Sequence, residues 1–200
     1  CVGSGCSAYT LMVFLISILL GLSMGSGTVF SLQYGAGDLS ALRRSIYVSL
    51  LLIGTVTILL NVAVFLWLDP ILRWLQVPYD IYSLMRNYLW IIFWGIVFTF
   101  LYNFYAALLR AVGDSVTPLW FLAVSVVLNI GLDLFLILVL DQGIEGAAVA
   151  TVIAQLFAAL YCLRAVLHVK VIHLKKEYFR LNPEIAKRLL GLGTPVAAQN

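Results

Sequence analysis

Three polar residues recur at a fixed spacing within an otherwise apolar stretch, Ser125–Leu140. Ser125, Asn129 and Asp133 are four residues apart, so a helix places all three on one face. A charged side chain near the centre of a membrane helix costs about 2.5–3.5 kcal/mol on insertion scales. An acid at such a position needs a proton, a cation or a polar partner. Asp133 is therefore a candidate functional group, and a hydrogen bond that only joins two helices is the alternative.

The next apolar segment brings two more polar side chains, Thr151 and Gln155. The depth of each residue in the membrane follows from counting 1.5 Å per residue from the short turn at 141–145 into each of the two helices. This count predicts Thr151 opposite Asp133, and Gln155 opposite Asn129. Carboxylate, amide and hydroxyl oxygens are ligands that hard cations prefer, and a carboxylate withdrawn from water also favours a proton. We interpret Asp133, Asn129 and Thr151 as a proton or Na⁺ site, with polar contact between two helices as the alternative.

Two residues are predicted to support that site without forming it. Gln155 lies one turn deeper than Thr151, and Ser125 one turn deeper than Asn129. We interpret both as a possible second layer around the ion-binding oxygens. A metal site beyond this possible Na⁺ position is not predicted, because Cys1, Cys6 and Cys162 have no metal-binding spacing.

The composition indicates a membrane protein. Hydrophobic residues make up 63% of the 200 residues and charged residues 10%, and the mean hydropathy is +1.05. A soluble domain is about half apolar and a quarter charged. The apolar runs are long enough for membrane helices, whereas barrel strands would show short alternating segments. We predict an all-α, polytopic transmembrane bundle in the lipid bilayer, and no nucleic-acid partner.

Five full membrane spans and the start of a sixth near Lys187 are predicted. Each full span exceeds the roughly 20 residues needed to cross the hydrocarbon core. We divide the chain into a helical bundle over residues 1–167, a linker 168–186 and the start of the next helix, 187–200. The five spans are Leu11–Gln33, Ile46–Leu68, Asn87–Leu109, Pro118–Leu140 and Gly146–Leu167.

The basic residues lie mainly in one set of connections. Nine of the twelve Lys and Arg residues fall within 34–45, 110–117 and 168–188, and two fall within 69–86. Basic loops face the cytoplasm in multi-pass proteins, so the first set is predicted to be cytoplasmic. Two turns of that set are alike: Gly37 and Gly113 are predicted to end a helix, and Asp38 and Asp114 to cap the next one.

Several stretches together resemble the multidrug and toxic compound extrusion (MATE) family of cation-coupled antiporters. The resemblance implies that the chain holds helices two to six of a twelve-helix protein with two lobes, followed by the inter-lobe linker. It also implies that Asn129, Asp133 and Thr151 belong to a cation or proton network, with Asn103 as a further member. The matching stretches are 33–38, 109–118, 129–133, 143–155 and 193–195.

The resemblance implies a secondary transporter in the plasma (inner) membrane. It would export small organic, often cationic, compounds in exchange for H⁺ or Na⁺, without a cofactor and with the missing carboxy-terminal lobe as its partner. One alternative is a lipid-linked oligosaccharide flippase of the same superfamily, which tends to use basic cavity residues. Another is a non-transporting scaffold or an intramembrane enzyme. We expect no enzyme, because no second catalytic group lies at the depth of Asp133.

Overall fold

The computed structural model describes residues 2–74 and 79–169, and within these ranges all regular secondary structure is helical. This agrees with the all-α prediction. A π-helical turn, Phe135–Val139, continues the fourth helix directly. The α-helices are α1 (Val2–Gly35), α2 (Leu39–Trp74), α3 (Tyr79–Ala111), α4 (Val116–Leu134) and α5 (Gly143–His168).

Four of the described helices are long and apolar enough to cross a membrane. They contain the segments Leu39–Pro70, Tyr82–Ala111, Val116–Val139 and Gly143–His168. The helix α1, with 34 residues, is not among these four, so the count of five full spans stays a prediction. The predicted linker and the start of the sixth span lie outside the described residues, apart from the first two linker positions.

The helices extend beyond the apolar spans that the sequence predicts. The predicted span Ile46–Leu68 is the middle of α2, which begins at Leu39 and continues through Pro70 to Trp74. Hydropathy marks only the portion of a helix that suits hydrocarbon, whereas backbone hydrogen bonding continues into polar surroundings. A helix can therefore be longer than its apolar segment.

Helix α3 lies at the centre of the bundle and packs against α1, α2 and α5, while α4 packs mainly against α5. Phe30 of α1 meets Phe104 of α3 edge to face, with ring centroids 5.9 Å apart. Glycine permits close approach between α3 and α5, because a Cβ on Gly95 would lie 2.9 Å from Val152 Cγ2. Small residues thus bring α5 against the central helix, as is common between membrane helices.

Both glycine–aspartate turns form as predicted. Gly37 and Gly113 have φ of +74° and +95°, the left-handed conformation that favours glycine. The N–H of Asp38 donates to Gln33 O at 3.1 Å, and the N–H of Asp114 donates to Leu109 O at 2.9 Å. These bonds belong to the Schellman motif, which satisfies carbonyls at a helix end.

The two aspartates also cap the helices that follow. Asp38 Oδ1 accepts from the N–H of Ala41, and Asp114 Oδ1 accepts from the N–H of Thr117, both at 3.0 Å. The Ala41 N–H and the Ser40 hydroxyl hold the pKa of Asp38 below its ordinary value. The hydroxyl and N–H of Thr117 do the same for the pKa of Asp114. The repeated turn is therefore capped by an ionised carboxylate at both positions.

Candidate functional site

The polar face of α4 lies against α5. Ser125, which is 4% exposed, donates its hydroxyl to Ala154 O at 2.8 Å. One turn further along α4, Asn129 Nδ2 donates to Thr151 Oγ1 at 3.4 Å. The Thr151 hydroxyl donates in turn to Ala147 O of its own helix at 3.0 Å. The predicted polar stripe is thus a helix–helix contact with two interhelical hydrogen bonds.

The register of this contact differs by one turn from the sequence prediction. We expected Asn129 opposite Gln155, but Asn129 meets Thr151, and Ser125 meets the backbone of Ala154. The prediction assumed that both helices end at the turn 141–145, whereas α5 begins earlier, at Gly143, and the last turn of α4 is π-helical. Asp133 therefore lies one turn beyond the Asn129–Thr151 hydrogen bond, towards the turn that joins α4 and α5.

Asp133 has a carboxylate oxygen, Oδ1, that is buried without a hydrogen-bond partner among the described residues. A buried acceptor left in this state costs about 1–3 kcal/mol, and more when it is charged. Asn129, the nearest polar residue of the stripe on α4, directs its N–H groups to Thr151 instead. A proton or a cation bound to this oxygen would offset the cost of burying it.

The hydrogen bonds of Thr151 also orient the amide of Asn129. Since the Thr151 hydroxyl hydrogen is used by Ala147 O, Thr151 Oγ1 accepts from Asn129, and Asn129 Oδ1 is not needed in this contact. A carboxylate oxygen, an amide oxygen and a hydroxyl oxygen suit a proton or a hard cation. No group of three His, Cys, Asp or Glu residues that could hold a metal ion occurs within 2–74 and 79–169.

Gln155 and Asn103 are not joined to this contact by hydrogen bonds within the described portion of the chain. Gln155 is half-buried. Asn103 donates to Thr99 O of its own helix at 2.8 Å and lines a separate cavity of about 390 Å³ between α1 and α3. Membership of Asn103 in the ion site therefore stays a prediction that rests on the family resemblance.

That cavity contains a residue which the sequence analysis missed. Ser23 of α1 is 2% exposed, lines the cavity with Ser17, Asn103 and Arg110, and has a hydroxyl oxygen without a partner among the described residues. The only indication in the sequence is that Ser23 is a polar residue within an apolar helix. Serine hydroxyls often bond to their own helix, however, as Ser26 does to Leu22 O, so sequence alone does not single out Ser23.

The π-helical turn after Asp133 is a second feature without a sequence signal. The N–H of Leu140 donates to Phe135 O at 3.2 Å, five residues back, and the N–H of Gln142 donates to Leu136 O at 3.1 Å. π-helical turns occur mostly as single insertions in α-helices and frequently at functional sites. Here the turn begins two residues after Asp133 and leads into the connection to α5.

An all-helical bundle with four described helices of membrane-crossing length and apolar composition is the architecture of a multi-pass membrane protein. Comparison of the sequence with protein families gives a match to MatE over residues 2–135. The chain belongs to the MatE family.

Curated relatives point the same way. The chain is 37% identical over 170 residues to the probable multidrug resistance protein YpnP of Bacillus subtilis (strain 168), covering 85% of this chain and 38% of that protein. It is 29% identical over 198 residues to the multidrug export protein MepA of Staphylococcus aureus (strain NCTC 8325 / PS 47), covering 94% and 43%. The chain thus spans about two-fifths of the length of these relatives, of which one is named a multidrug resistance protein and the other a multidrug export protein.

Solved structures share the fold. A crystal structure of MATE in complex with MaD3S superimposes with a TM-score of 0.89 at 22% identity, covering 98% of this chain and 45% of that one. An inward-facing multidrug resistance MATE family transporter of the MOP superfamily gives 0.84 at 22% identity, covering 94% and 43%. The described helices therefore have the arrangement found in a portion of a MATE protein.

Proposed function

We propose that this chain is the amino-terminal lobe of a secondary transporter that exports small organic, often cationic, compounds in exchange for H⁺ or Na⁺. Membership of the MatE family and the names of the export proteins it resembles support this proposal. Under this proposal a carboxy-terminal lobe completes the transporter. The protein lies in the plasma membrane, and its basic loops face the cytoplasm.

Asp133 is the coupling group in this proposal, and the supporting observation is its buried, unpartnered Oδ1. A proton or Na⁺ bound there would neutralise the carboxylate, with Asn129 and Thr151 as neighbouring oxygen donors. Neutral and charged Asp133 have different costs of burial. An ion shifts the protein between an outward-open and an inward-open state if it binds these two states with different affinity. A different degree of burial of Asp133 in the two states would supply that difference.

The test of this function uses the full-length protein in liposomes loaded with ethidium, a fluorescent organic cation. An imposed gradient of Na⁺ or of protons should drive ethidium across the membrane against its own gradient, and collapse of the gradient should stop it. We define the half-maximal ion requirement as the Na⁺ concentration, or the pH, at which the rate of ethidium transport is half its maximum. Ethidium movement that is independent of both ions would contradict the proposed exchange.

A further inference from the structure

Helices α4 and α5 are joined at both ends of the polar stripe. At one end the Ser125 hydroxyl donates to Ala154 O at 2.8 Å. At the other end Leu136 packs on Gly146: a Cβ on Gly146 would lie 3.1 Å from Leu136 Cβ and 3.5 Å from Leu136 C. We refer to these two contacts, Ser125–Ala154 and Leu136–Gly146, as the α4–α5 clamp.

The positions of the clamp residues fix the rotation of α4. Leu136 follows Ser125 by eleven residues, about three turns and roughly 16 Å, so both side chains lie on the same face. Two helices that touch at one point can swing about that point. Two contacts this far apart, with the Asn129–Thr151 hydrogen bond between them, fix the rotation and register of α4 against α5. Asp133 lies between the two contacts and belongs to the same length of helix.

The π-helical turn forms one half of the clamp. Leu136 is the buried residue of this turn, and its carbonyl accepts from the N–H of Gln142 at 3.1 Å. The chain then reverses through Asp141 and Gly143, whose φ angles are +52° and +56°. Gly146 follows directly at the start of α5, where the absence of a side chain lets the backbone approach the π-helical turn.

Asp133 depends on this arrangement because its own side chain is not held. Its Oδ1 has no hydrogen-bond partner among the described residues. The position of the carboxylate is consequently set by the rotation of α4 rather than by a bond to the acid itself. We propose that Ser125 and Gly146 are positioning residues that fix Asp133 of α4 relative to Thr151 of α5, and thereby set the ion affinity of the site.

This inference rests on the proposed ion exchange, and its test is the half-maximal ion requirement of the full-length protein. Ser125→Ala removes the donor, while Ala154 O keeps its place in the helix, so α4 should still insert. The expected shift in ion requirement is about threefold and at most about twentyfold, as for the loss of one interhelical hydrogen bond. The maximal rate and the amount of protein should stay near wild type.

Matched variants separate positioning from general packing. Ser49 is buried without a hydrogen-bond partner in the described portion of the chain, so Ser49→Ala removes a similar hydroxyl away from the clamp. Gly131 has no atom within 4 Å of an added Cβ, so Gly131→Ala is the control for Gly146→Ala. Both controls should keep the wild-type ion requirement. Ser125→Cys, with a weaker donor of similar size, should give a smaller shift than Ser125→Ala.

Thiol cross-linking tests the clamp independently of transport. In a protein without its native cysteines, Ser125→Cys paired with Ala154→Cys should be joined by a short bifunctional thiol reagent, because the Ser125 side chain lies against the backbone of Ala154. The pair Val127→Cys and Ala154→Cys should not, since Val127 is 70% exposed and lies off the contact. Failure of the first pair to cross-link would overturn the clamp, whatever the transport result.

The transport outcomes are decisive in either direction. A shifted ion requirement in Ser125→Ala, with normal values in both controls, supports the positioning role. A wild-type ion requirement in Ser125→Ala overturns it, and this result decides the matter even if Gly146→Ala fails to fold. Failure of the proposed function is distinguishable, because ethidium movement by the wild-type protein would then be independent of both ions while the Ser125–Ala154 cross-link still formed.

Discussion

Asn129 Nδ2 lies 3.4 Å from Thr151 Oγ1, and this hydrogen bond joins α4 to α5 one turn away from Asp133. The Thr151 hydroxyl donates its hydrogen to Ala147 O, so its oxygen accepts from the Asn129 amide N–H. Asn129 Oδ1 takes no part in this hydrogen bond. Thr151 therefore orients Asn129, in addition to any direct contact with an ion. The long distance indicates a weak hydrogen bond, whose value lies in orientation more than in stability.

Loss of either partner should weaken the ion site without abolishing transport. We predict that Asn129→Ala and Thr151→Ala each raise the half-maximal ion requirement about tenfold, near the lower limit for a lost hydrogen bond to a charged group. Thr151→Ser keeps the hydroxyl and should behave like wild type. The measurement is ethidium export against Na⁺ and against pH. Unchanged ion dependence in both alanine variants would show that this polar contact only joins the helices.

The effects of neighbouring residues should not add. If Asn129 acts through the ion held at Asp133, Asn129→Ala should have little further effect once Asp133 has become Asn. The double variant and both single variants are compared in the same liposomes. An additive loss in the double variant would place Asn129 and Asp133 in separate functions.

The observed register predicts a difference between Thr151 and Gln155. Thr151 contacts Asn129, whereas Gln155 makes none of the hydrogen bonds found within the described residues. Gln155→Ala should therefore change the ion requirement less than Thr151→Ala does. A larger effect of Gln155→Ala would contradict the assignment of Thr151 to the ion site.

Sequence reasoning predicted the helical class, both capped turns and the polar face of α4 because each depends on local spacing. It placed Asn129 opposite Gln155, one turn away from the observed Thr151, since counting from the loop assumed a regular α-helix up to Leu140. The π-helical turn Phe135–Val139 and the early start of α5 at Gly143 arise from packing between the helices. Neither has a distinctive composition, so neither was visible in one sequence.

The cap at Asp114 should make stability depend on pH. The hydrogen bonds from Thr117 lower the pKa of the folded carboxyl, so its stabilising contribution is complete above the ordinary value of 3.8 and is lost as pH falls through the lowered pKa. Asp114→Ala should cost about 1 kcal/mol at neutral pH, as for other helix caps. Asp114→Asn keeps an uncharged acceptor and should lack this acid dependence.

Melting temperatures of the detergent-solubilised protein, followed by circular dichroism from pH 7 to pH 3, provide the measurement. The melting temperature of wild type should fall relative to that of Asp114→Asn only at the acid end of this range. Equal melting temperatures for wild type and Asp114→Ala at pH 7 would show that the cap contributes nothing to stability.

The distribution of basic residues predicts the orientation in the membrane. Ser40 lies beside Arg43 and Arg44 in the basic set of connections, and Gln142 lies in the opposite turn; both side chains are exposed. In intact cells, an impermeant thiol reagent should label Gln142→Cys but not Ser40→Cys in a background without native cysteines. Labelling of Ser40→Cys from outside would reverse the assignment.

The central claim is that the carboxylate of Asp133 carries the coupling ion. Asp133→Asn keeps the size of the side chain but is uncharged at every pH, and it should abolish ion-driven ethidium export while the protein still inserts at normal abundance. Asp141→Asn is the matched control: Asp141 is exposed in the turn that follows α4 and its π-helical continuation, and Asn tolerates its φ of +52°.

The most direct measurement is the initial rate of ethidium export by wild type, Asp133→Asn and Asp141→Asn, in liposomes with an imposed gradient of Na⁺ or of protons. Only Asp133→Asn should lose the response to the gradient. Export by Asp133→Asn that follows the ion gradient as in wild type would contradict the central claim.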